Sequence, residues 1–190
     1  MNVSEFPGQK ELIHSLDSAV HEESVEGITA AVQETLVQLI QSRTLDLPAT
    51  LKRPSETSYA RHLVHRSDPY GYTVVAMVWG PGQGTALHDH SGSWCVEGVI
   101  EGEIEVTQYE LLEKEGERFH FRRCECLHSF MGSAGSLIPP YEYHTIANAR
   151  NDRSSVTLHV YGRELTQCSI FEGGEDGWYE HRTRELAYSA

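Results

Sequence analysis

Two stretches near the start of the chain place apolar residues at helical intervals. Between Gln9 and Arg43 one stripe consists of Leu12, Ile13, Leu16 and Val20, and a second of Ile28, Val32, Leu36, Leu39 and Ile40. Side chains three and four positions apart share one face of a helix. Ser24, a residue type that caps helix N-termini, lies between the stripes. The pattern predicts two amphipathic helices.

Beyond Pro48 and Pro54 the pattern changes to short runs of β-branched and aromatic residues. Four such runs stand out: Tyr72–Trp79, Trp94–Ile100, Ile104–Leu111 and Ser154–Tyr161. Clusters of glycine, proline, asparagine and aspartate separate them, as expected of strands joined by turns. Closely spaced strands after a helical preface indicate an antiparallel barrel of the jelly-roll type.

The predicted fold class is therefore mainly β, a jelly-roll β-barrel with N-terminal α-helices packed outside it. We expect a single domain overall, because 190 residues suit one hydrophobic core. Within it, residues 1–50 form the predicted helical segment that packs on the barrel. Residues 51–190 form the predicted barrel, which carries the functional site.

Charge and composition narrow the function classes. The net charge is −13, from 28 acidic and 15 basic side chains, so the surface repels phosphate backbones and anionic lipid. We therefore expect neither nucleic-acid nor membrane binding, and the polar, acidic start of the chain favours a cytoplasmic protein. In that compartment the four cysteines are expected to be reduced thiols.

The 11 histidines direct attention to metal binding, and two of them are closely spaced. His88 and His90 are two positions apart, so on a strand both imidazoles point to the same side. Surface histidines are the alternative explanation of such a pair. The wider spacing argues against it: Gly82, five residues, His88-x-His90, four residues, Cys95, six residues, Gly102 resembles the first cupin motif.

A second segment resembles the second cupin motif. It runs Pro139-x-Tyr141-x-x-His144-x-x-x-Asn148, with Tyr141 where that motif has glycine. The resemblance implies that His144 joins His88 and His90 as the third metal ligand, although a structural role for His144 is the alternative. Cys95 stands where most cupins have a glutamate ligand. Glu97 is a weaker candidate for that carboxylate, because it comes two residues too late for the motif.

Three neutral imidazoles without a carboxylate have a chemical consequence. They leave the charge of a divalent metal uncompensated, which favours an anionic ligand such as a thiolate, and they leave positions open. Imidazole suits iron, zinc, copper and nickel alike, so the spacing does not choose the metal.

The segment WGPGQGTALHDHSGSWC, residues 79–95, is similar to the thiol dioxygenases, and most similar to the cysteine dioxygenase family. That resemblance implies one Fe(II) per chain and a thioether between Cys95 and Tyr161. It also implies a relay from Thr157 through His159 to Tyr161, where the family has serine at the first position. Alternation along a strand would put Thr157, His159 and Tyr161 on one face. A buried apolar role for Cys95 and a structural polar network for the other three are the alternatives.

The same resemblance suggests residues for substrate binding. Tyr59-Ala-Arg61 resembles a Tyr-x-Arg of the family, which implies that Arg61 grips a carboxylate with its planar fork and that Tyr59 supports it. Solvent exposure is the alternative for Arg61. Cys168 resembles a cysteine at the family's active-site entrance, and Trp94 replaces a histidine near the iron.

A further departure from the family follows Tyr161. There the chain has Gly162-Arg163 instead of Ser-Pro, so we expect a trans peptide bond at this point. Elsewhere, His120, Cys124, Cys126 and His128 are close enough in sequence to suggest zinc. Their CxC spacing is too tight for the usual site, and a loop with incidental thiols is the favoured interpretation.

These observations predict an iron(II)-dependent thiol dioxygenase that oxidises L-cysteine with O2 to cysteine sulfinate. One alternative is the same chemistry on 3-mercaptopropionate or mercaptosuccinate. The other is a non-oxidative cupin metal enzyme or sensor. The expected partners are a small thiol and O2, and the chain is expected to be a monomer or weak homo-oligomer.

Overall fold

Two helices precede the β-structure in the computed structural model, which describes residues 5–174 and 176–189. Helix α1 spans Gln9–Ala19 and α2 spans Val25–Gln41. The Ser24 side chain accepts a hydrogen bond from the Gly27 backbone N–H, so the predicted N-cap is confirmed. A short 3-10 helix, Ala49–Lys52, leads into the strands. No helix among the described residues has the length and apolar character needed to cross a membrane.

Eleven strands follow the helices in the described chain. They are β1 Ala60–Arg66, β2 Thr73–Trp79, β3 Leu87–His88, β4 Cys95–Glu101, β5 Glu103–Glu115, β6 Arg118–Phe130, β7 Ala134–Leu137, β8 His144–Asn148, β9 Ser155–Tyr161, β10 Gln167–Gly173 and β11 Trp178–Glu185. The four predicted runs coincide with β2, β4, β5 and β9, within one or two residues except at the longer carboxyl end of β5.

The strands form two layers. One is a five-stranded sheet in the order β1-β2-β9-β4-β7, and the other is a closed ring in the order β10-β11-β6-β5-β8-β3. All of the strand pairs are antiparallel. This is the cupin jelly roll with external helices, so the predicted fold class is confirmed.

The five-stranded sheet is buried on both faces, which explains its apolar sequence. Every residue of β2 and of β9 is buried. On the outer face, Val74, Ala76 and Val78 pack with the helical residues Leu12, Leu16 and Leu36. On the inner face, Val75, Met77 and Trp79 join the barrel core with Cys95 and Tyr161. Strands covered on both sides read as continuous apolar runs rather than as alternating ones.

Helix α2 is held against the sheet at one small residue. A Cβ atom added to Gly98 of β4 would lie 2.9 Å from Ile40 Cδ1, closer than real Cβ atoms approach. Two side-chain amides of α2 also donate to the backbone: Gln33 to the Ala134 carbonyl at 2.8 Å and Gln41 to the Gly132 carbonyl at 3.0 Å. These contacts fix the helices on the outside and leave the barrel interior to the site.

The segment from His120 to His128 is strand, which corrects the prediction of a loop. It belongs to β6, which pairs with β5 over most of its length. Only Phe119 and Phe121 alternate inward, and most of the other residues are exposed. Cross-strand hydrogen bonds therefore hold a strand whose own side chains lack the apolar alternation by which strands are recognised.

Candidate metal centre

Three imidazoles meet at one end of the barrel. His88 ends β3 and lies directly opposite His144, the first residue of β8. His90 follows in the turn after β3, so only part of the predicted strand is present. The ring centroids are 4.3 Å apart for His88–His144, 5.1 Å for His90–His144 and 5.4 Å for His88–His90. One nitrogen from each ring lies within 4.8 Å of the others, a spacing that one metal ion can bridge.

Hydrogen bonds orient two of these rings. His88 Nδ1 lies 3.1 Å from the Ala86 carbonyl oxygen, and His144 Nδ1 lies 2.8 Å from that of Glu142. A proton on each Nδ1 leaves Nε2 with a free lone pair, which is the usual arrangement of a metal-binding histidine. His144 Nε2 is buried without a hydrogen-bond partner, and so is His90 Nδ1. Buried polar atoms are rarely left unpaired, so these orphaned nitrogens fit a metal ion.

The imidazoles of His88 and His90 are held in the neutral form that metal binding requires. Burial, together with the nearby His144, lowers the pKa of His88 to about 3. Burial and the same neighbour lower the pKa of His90 well below its usual value. A neutral imidazole has the lone pair that a cation needs, so the two residues are ready to ligate at neutral pH.

A carboxylate lies beside the imidazoles, which corrects the expectation of a centre without an acidic neighbour. Glu97 Oε1 is 3.5 Å from His144 Nε2 and 3.2 Å from His159 Nδ1. Burial alone would raise the pKa of Glu97, but the neighbouring His159 and His144 imidazoles hold it well below its usual value. A carboxylate oxygen of Glu97, a ring nitrogen of His90 and the sulfur of Cys95 also lie within 4.8 Å of one another, close enough to share a metal ion. The side chain is therefore an anion in contact with the candidate ligands.

The predicted relay residues are hydrogen-bonded in a row. The Trp79 indole N–H donates to Thr157 Oγ1 at 2.9 Å. Since the indole can only donate, the Thr157 hydroxyl is free to donate to His159 Nε2, 2.7 Å away. His159 Nδ1–H then faces both Glu97 Oε1 and the Tyr161 hydroxyl, which is at 3.3 Å. Glu97 thus competes with Tyr161 for the imidazole proton.

Cys95 and Tyr161 are close to each other and to the histidines. They are directly opposite in the β4–β9 register. The Tyr161 ring centroid is 5.5 Å from that of His90, and its hydroxyl donates to Met77 Sδ at 3.8 Å. Cys95 Sγ is 3.9 Å from Glu97 Oε1 and from His159 Nδ1. Burial raises the pKa values of both Cys95 and Tyr161, so thiol and phenol are the resting forms.

Arg61 is buried rather than solvated. Its guanidinium donates to the Ala187 carbonyl at 3.4 Å and stacks 5.3 Å from the Tyr188 ring centroid. Its backbone is clamped as well, because Arg61 N–H donates to Ser189 Oγ and the Ser189 N–H donates to the Arg61 carbonyl. The segment 186–189 thus holds a proposed substrate residue. No sequence motif signals this contact, because the alanine, tyrosine and serine at positions 187–189 follow the last strand without a recognisable pattern.

A pocket of about 30 Å³ connects these residues. Most of the predicted site residues line it: Tyr59, Arg61, His88, His90, His159, Tyr161 and Cys168, together with Glu97. His144 is not among the lining residues, but its ring centroid is only 4.3 Å from that of His88. Burial and the nearby Asp89 raise the pKa of the Cys168 thiol to about 11, so this thiol is protonated at neutral pH. Leu186 closes one side of the pocket.

Trp94 does not line this pocket. Cys95 points into the barrel, so its neighbour Trp94 points to the outer face, where it packs with the helix-facing core. A Cβ atom added to Gly162 would lie 2.5 Å from Trp94 Nε1. Trp94 and Gly162 both depart from the family pattern, and they pack against each other: the indole occupies the space that a side chain at position 162 would need. The described chain has its one cis peptide bond at Pro139–Pro140, so the Gly162–Arg163 bond is trans as expected.

The residues considered for zinc are not gathered into one site in the described chain. Two of them, Cys126 and His128, have potential ligand atoms within 4.8 Å of each other and of Glu105, on the exposed face of the β5–β6 hairpin. His128 is paired there with Glu103 and Glu105, at 3.0 and 3.4 Å. His120 instead stacks on Trp178, with ring centroids 5.0 Å apart.

The fold and site together define a cupin with a candidate three-histidine metal centre. The family profile described as cysteine dioxygenase type I matches residues 27–173, which is more than half of the chain. The chain belongs to the cysteine dioxygenase type I family.

Curated relatives are distant. Cysteine dioxygenase type 1 of Rattus norvegicus is 22% identical over 122 residues, which cover 60% of this chain and 56% of the relative. The Danio rerio protein is 20% identical over 123 residues with the same coverage. The match thus spans little more than half the length of these relatives.

Solved structures with a similar fold are also distant in sequence. One from Thermus thermophilus has a TM-score of 0.47 and 22% identity, and covers 62% of this chain and 94% of its own. A Klebsiella pneumoniae protein with a double-stranded β-helix domain has a TM-score of 0.46 and 21% identity, with coverage of 64% and 86%.

Proposed function

We propose that this protein is an iron(II)-dependent dioxygenase that oxidises the sulfur of a small thiol, with L-cysteine as the preferred substrate and cysteine sulfinate as the product. The observation that carries the proposal is the convergence of His88, His90 and His144. Two of these imidazoles, His88 and His90, line a small pocket whose wall also includes Arg61. Membership of the cysteine dioxygenase type I family supports the class of reaction.

His88, His90 and His144 would hold the iron. When bound, iron(II) supplies the redox chemistry that joins both atoms of O2 to the substrate sulfur without an external reductant. The neutral rings leave the positive charge of the centre to be balanced by Glu97 and by an incoming thiolate. The buried wall of Met77, Trp79 and Ile146 keeps bulk water from the reacting sulfur.

The substrate residues support a thiol that carries a carboxylate. Arg61 is a buried cation on the pocket wall, and a buried cation needs an anionic partner. A guanidinium pairs with a carboxylate through two parallel hydrogen bonds, which fixes the direction in which the thiol enters. Tyr59, whose ring lies 4.9 Å from that of Trp79, would support the same end of the substrate. Cys168 lines the pocket beside them.

Glu97 supports an amino thiol over a simple thiol acid. It is an anion on the same pocket wall as the guanidinium of Arg61, so the pocket carries one charge of each sign. Cysteine has an ammonium as well as a carboxylate, whereas 3-mercaptopropionate and mercaptosuccinate carry only carboxylates. The same reaction on one of those two acids is the nearest competing substrate assignment.

We also propose that Cys95 and Tyr161 form a thioether during turnover. The bond would join Sγ to a ring carbon with loss of two hydrogens, which one dioxygen would accept to give hydrogen peroxide. Thr157 and His159 would then hold the crosslinked phenol in place through the row of hydrogen bonds that begins at Trp79.

The proposal is tested by oxygen uptake. Protein reconstituted anaerobically with iron(II) is given L-cysteine, 3-mercaptopropionate, mercaptosuccinate or cysteamine, and the product is identified by mass spectrometry. We expect one O2 consumed per sulfinate formed, with the highest kcat/KM for cysteine. Absence of thiol-dependent uptake with every compound would overturn the assignment, and a preference for 3-mercaptopropionate would overturn only its substrate.

A second candidate function is a non-oxidative metal enzyme or ligand sensor. The observation that favours it is the Glu97 carboxylate, 3.5 Å from His144 Nε2, since a fourth anionic neighbour reduces the space for substrate at the metal. This candidate predicts metal binding without oxygen uptake. Metal analysis after anaerobic purification, combined with the uptake assay, separates the two.

We further propose that the chain acts in the cytoplasm as a monomer or weak homo-oligomer, with its helical segment and barrel folding as one unit. Size-exclusion chromatography with light scattering at several concentrations tests the oligomeric state.

A further inference from the structure

The barrel contains a second cavity, of about 70 Å³, which Glu97 lines and Arg61 does not. Its wall is mainly apolar, and the apolar side chains belong to several strands. They are Val99, Ile104, Val106, Leu127, Leu137 and Ile146. Polar side chains complete the lining: Glu97, Gln108, Ser129, Ser136 and Thr157. The apolar part of such a wall accepts small apolar guests such as xenon. Neither a charged thiol nor its sulfinate product fits that chemistry.

This cavity, the rear cavity, opens at a seam between the two layers of the barrel. Strand β6 pairs with β5 and β11, and β7 pairs with β4, so no described strand pairing joins β6 to β7. Side chains of both strands line the opening, among them Leu127 and Ser129 of β6 and Ser136 of β7. Leu127 is 43% exposed, so this part of the wall reaches solvent.

The rear cavity and the metal pocket share a wall that is one side chain thick. Glu97 and Ile146 line both spaces, and no other residue of the described chain does. Ile146 lies two positions after His144 on β8, so its side chain is on the same face of the strand as that imidazole. Thr157, the hydroxyl that contacts His159, also lines the rear cavity. A small molecule in the rear cavity therefore has only Ile146 and Glu97 between it and the histidines.

The metal pocket itself gives a reason for a separate route. It measures only about 30 Å³ and has Arg61, Tyr59 and Cys168 on its wall, so a bound thiol acid would fill it. A second reactant then needs another way to reach the metal. Dioxygen is small and apolar, and it moves through protein by rotation of side chains such as Ile146 rather than by hydrogen bonding.

We propose that the rear cavity is a binding site and entry route for dioxygen, with its mouth at the β6–β7 seam and Ile146 as the gate to the metal. The inference rests on the proposed dioxygenase function. It assigns the two reactants to opposite sides of the Glu97 wall, with the thiol on the Arg61 side and O2 on the Leu127 side.

The test has a structural arm that does not require activity. Crystals of the purified protein are pressurised with xenon, and the anomalous signal is mapped. We expect xenon between Val99, Val106 and Ile146 in the unaltered protein and none in Val106→Phe, whose ring fills the space. A rear cavity without xenon in the unaltered protein overturns the proposal.

The kinetic arm uses Val106→Phe and Leu127→Trp, with Leu112→Trp as the matched control. Leu112 is an exposed leucine on the same hairpin, and it does not line the rear cavity. We expect both plugging variants to raise KM for O2 at least about fivefold, with KM for the thiol and kcat at saturating O2 unchanged. The control should match the unaltered protein in all three values.

The outcomes separate this proposal from the proposed function. If the unaltered protein takes up O2 with thiol but both plugged variants keep its KM for O2, the route is wrong and the function stands. An equal rise in KM for O2 and for the thiol also overturns the route, because it signals general damage to the site. If the unaltered protein shows no thiol-dependent uptake, the proposed function fails and the assignment of the cavity to dioxygen fails with it.

Discussion

Cys95 and Tyr161 are directly opposite each other in the antiparallel pairing of β4 with β9. Side chains at opposed positions on the same face of a sheet have Cβ atoms only about 4.5–5.5 Å apart. The same register sets Glu97 opposite His159 and Val99 opposite Thr157. One strand pairing therefore brings the thiol to the phenol and the carboxylate to the relay imidazole.

The first prediction concerns the thiol and the phenol. After turnover with iron(II) and cysteine, we expect a fraction of the protein to lose two hydrogens, about 2 Da, and to yield a joined Cys95–Tyr161 peptide pair. Intact-mass and peptide mass spectrometry measure both. Cys95→Ser keeps the size of the side chain and should show neither change. Quantitative alkylation of Cys95 after prolonged turnover of the unaltered protein would exclude the bond.

The second prediction concerns the metal. His144→Ala removes a buried candidate ligand whose Nε2 makes no hydrogen bond, so metal affinity should fall by more than the roughly 10- to 100-fold lost with an outer partner. Metal content after anaerobic reconstitution and dialysis measures this. His14→Ala, on the exposed face of α1, is the control and should keep one iron per chain. An iron-replete His144→Ala protein would disprove the three-histidine centre.

The third prediction concerns Arg61. Arg61→Lys keeps the charge but loses the planar fork, so KM for cysteine should rise about tenfold or more. The rate with cysteamine, which lacks the carboxylate, should change little. Steady-state oxygen uptake with both thiols gives the comparison. Arg66→Lys is the matched control, because Arg66 lies on the same strand with its side chain exposed. Equal losses on both thiols would argue that Arg61 has only a structural role.

The fourth prediction concerns Glu97. Its depressed pKa means that the ionised carboxylate stabilises the folded state above the unfolded pKa of about 4.3, and that this contribution is lost as the pH falls through the folded pKa. In metal-free protein, Glu97→Gln should lower the free energy of unfolding at pH 7 by about 1–3 kcal/mol. The difference should begin to shrink near pH 4 and continue to shrink as the pH falls below it. Urea denaturation at pH 7, at pH 4 and at the lowest pH at which the protein stays folded measures it.

The control for Glu97 is Glu113→Gln, an exposed carboxylate on β5, which should change the free energy of unfolding by less than about 0.5 kcal/mol. A Glu97→Gln protein as stable as the unaltered one at pH 7 would mean that the contacts with His144 and His159 contribute nothing to folding.

The fifth prediction concerns Gly162. The methyl group of Gly162→Ala would meet the Trp94 indole at 2.5 Å, so we expect a loss of about 1–3 kcal/mol in stability. Trp94→Leu should remove the clash, so the double variant should lose less than the sum of the single ones. Thermal unfolding of all four proteins tests the coupling. Additive losses would show that the two residues do not share this space.

Local sequence pattern was sufficient for much of the architecture. Helical periodicity predicts α1 and α2, and Ser24 predicts the cap, because these signals depend on residues within a few positions. The spacing of His88 and His90 predicts that they act together. Strand β6 was missed, since its hydrogen bonds come from β5 and its exposed residues follow no apolar alternation.

Long-range register explains what the sequence left undecided at the site. Alternation along β4 indicates that Glu97 shares a face with Cys95, but its contact with His159 depends on how β4 is aligned with β9, some 60 residues later. Trp94 faces away from the pocket because it is next to Cys95, and neighbouring residues of an extended chain point to opposite faces of the sheet. The clamp on Arg61 depends on residues 187–189, more than 120 positions away, and no local pattern signals it.

The clamp has a consequence for the order in which the protein becomes competent during synthesis. Arg61 leaves the ribosome early, yet its backbone and guanidinium are fixed by Ser189, Ala187 and Tyr188, which emerge about 125 residues later. At roughly 5–20 residues per second, translation separates the two events by about 6 to 25 seconds. Until residues 187–189 have emerged, Arg61, the proposed carboxylate-binding residue, lacks the contacts that fix its backbone and its guanidinium.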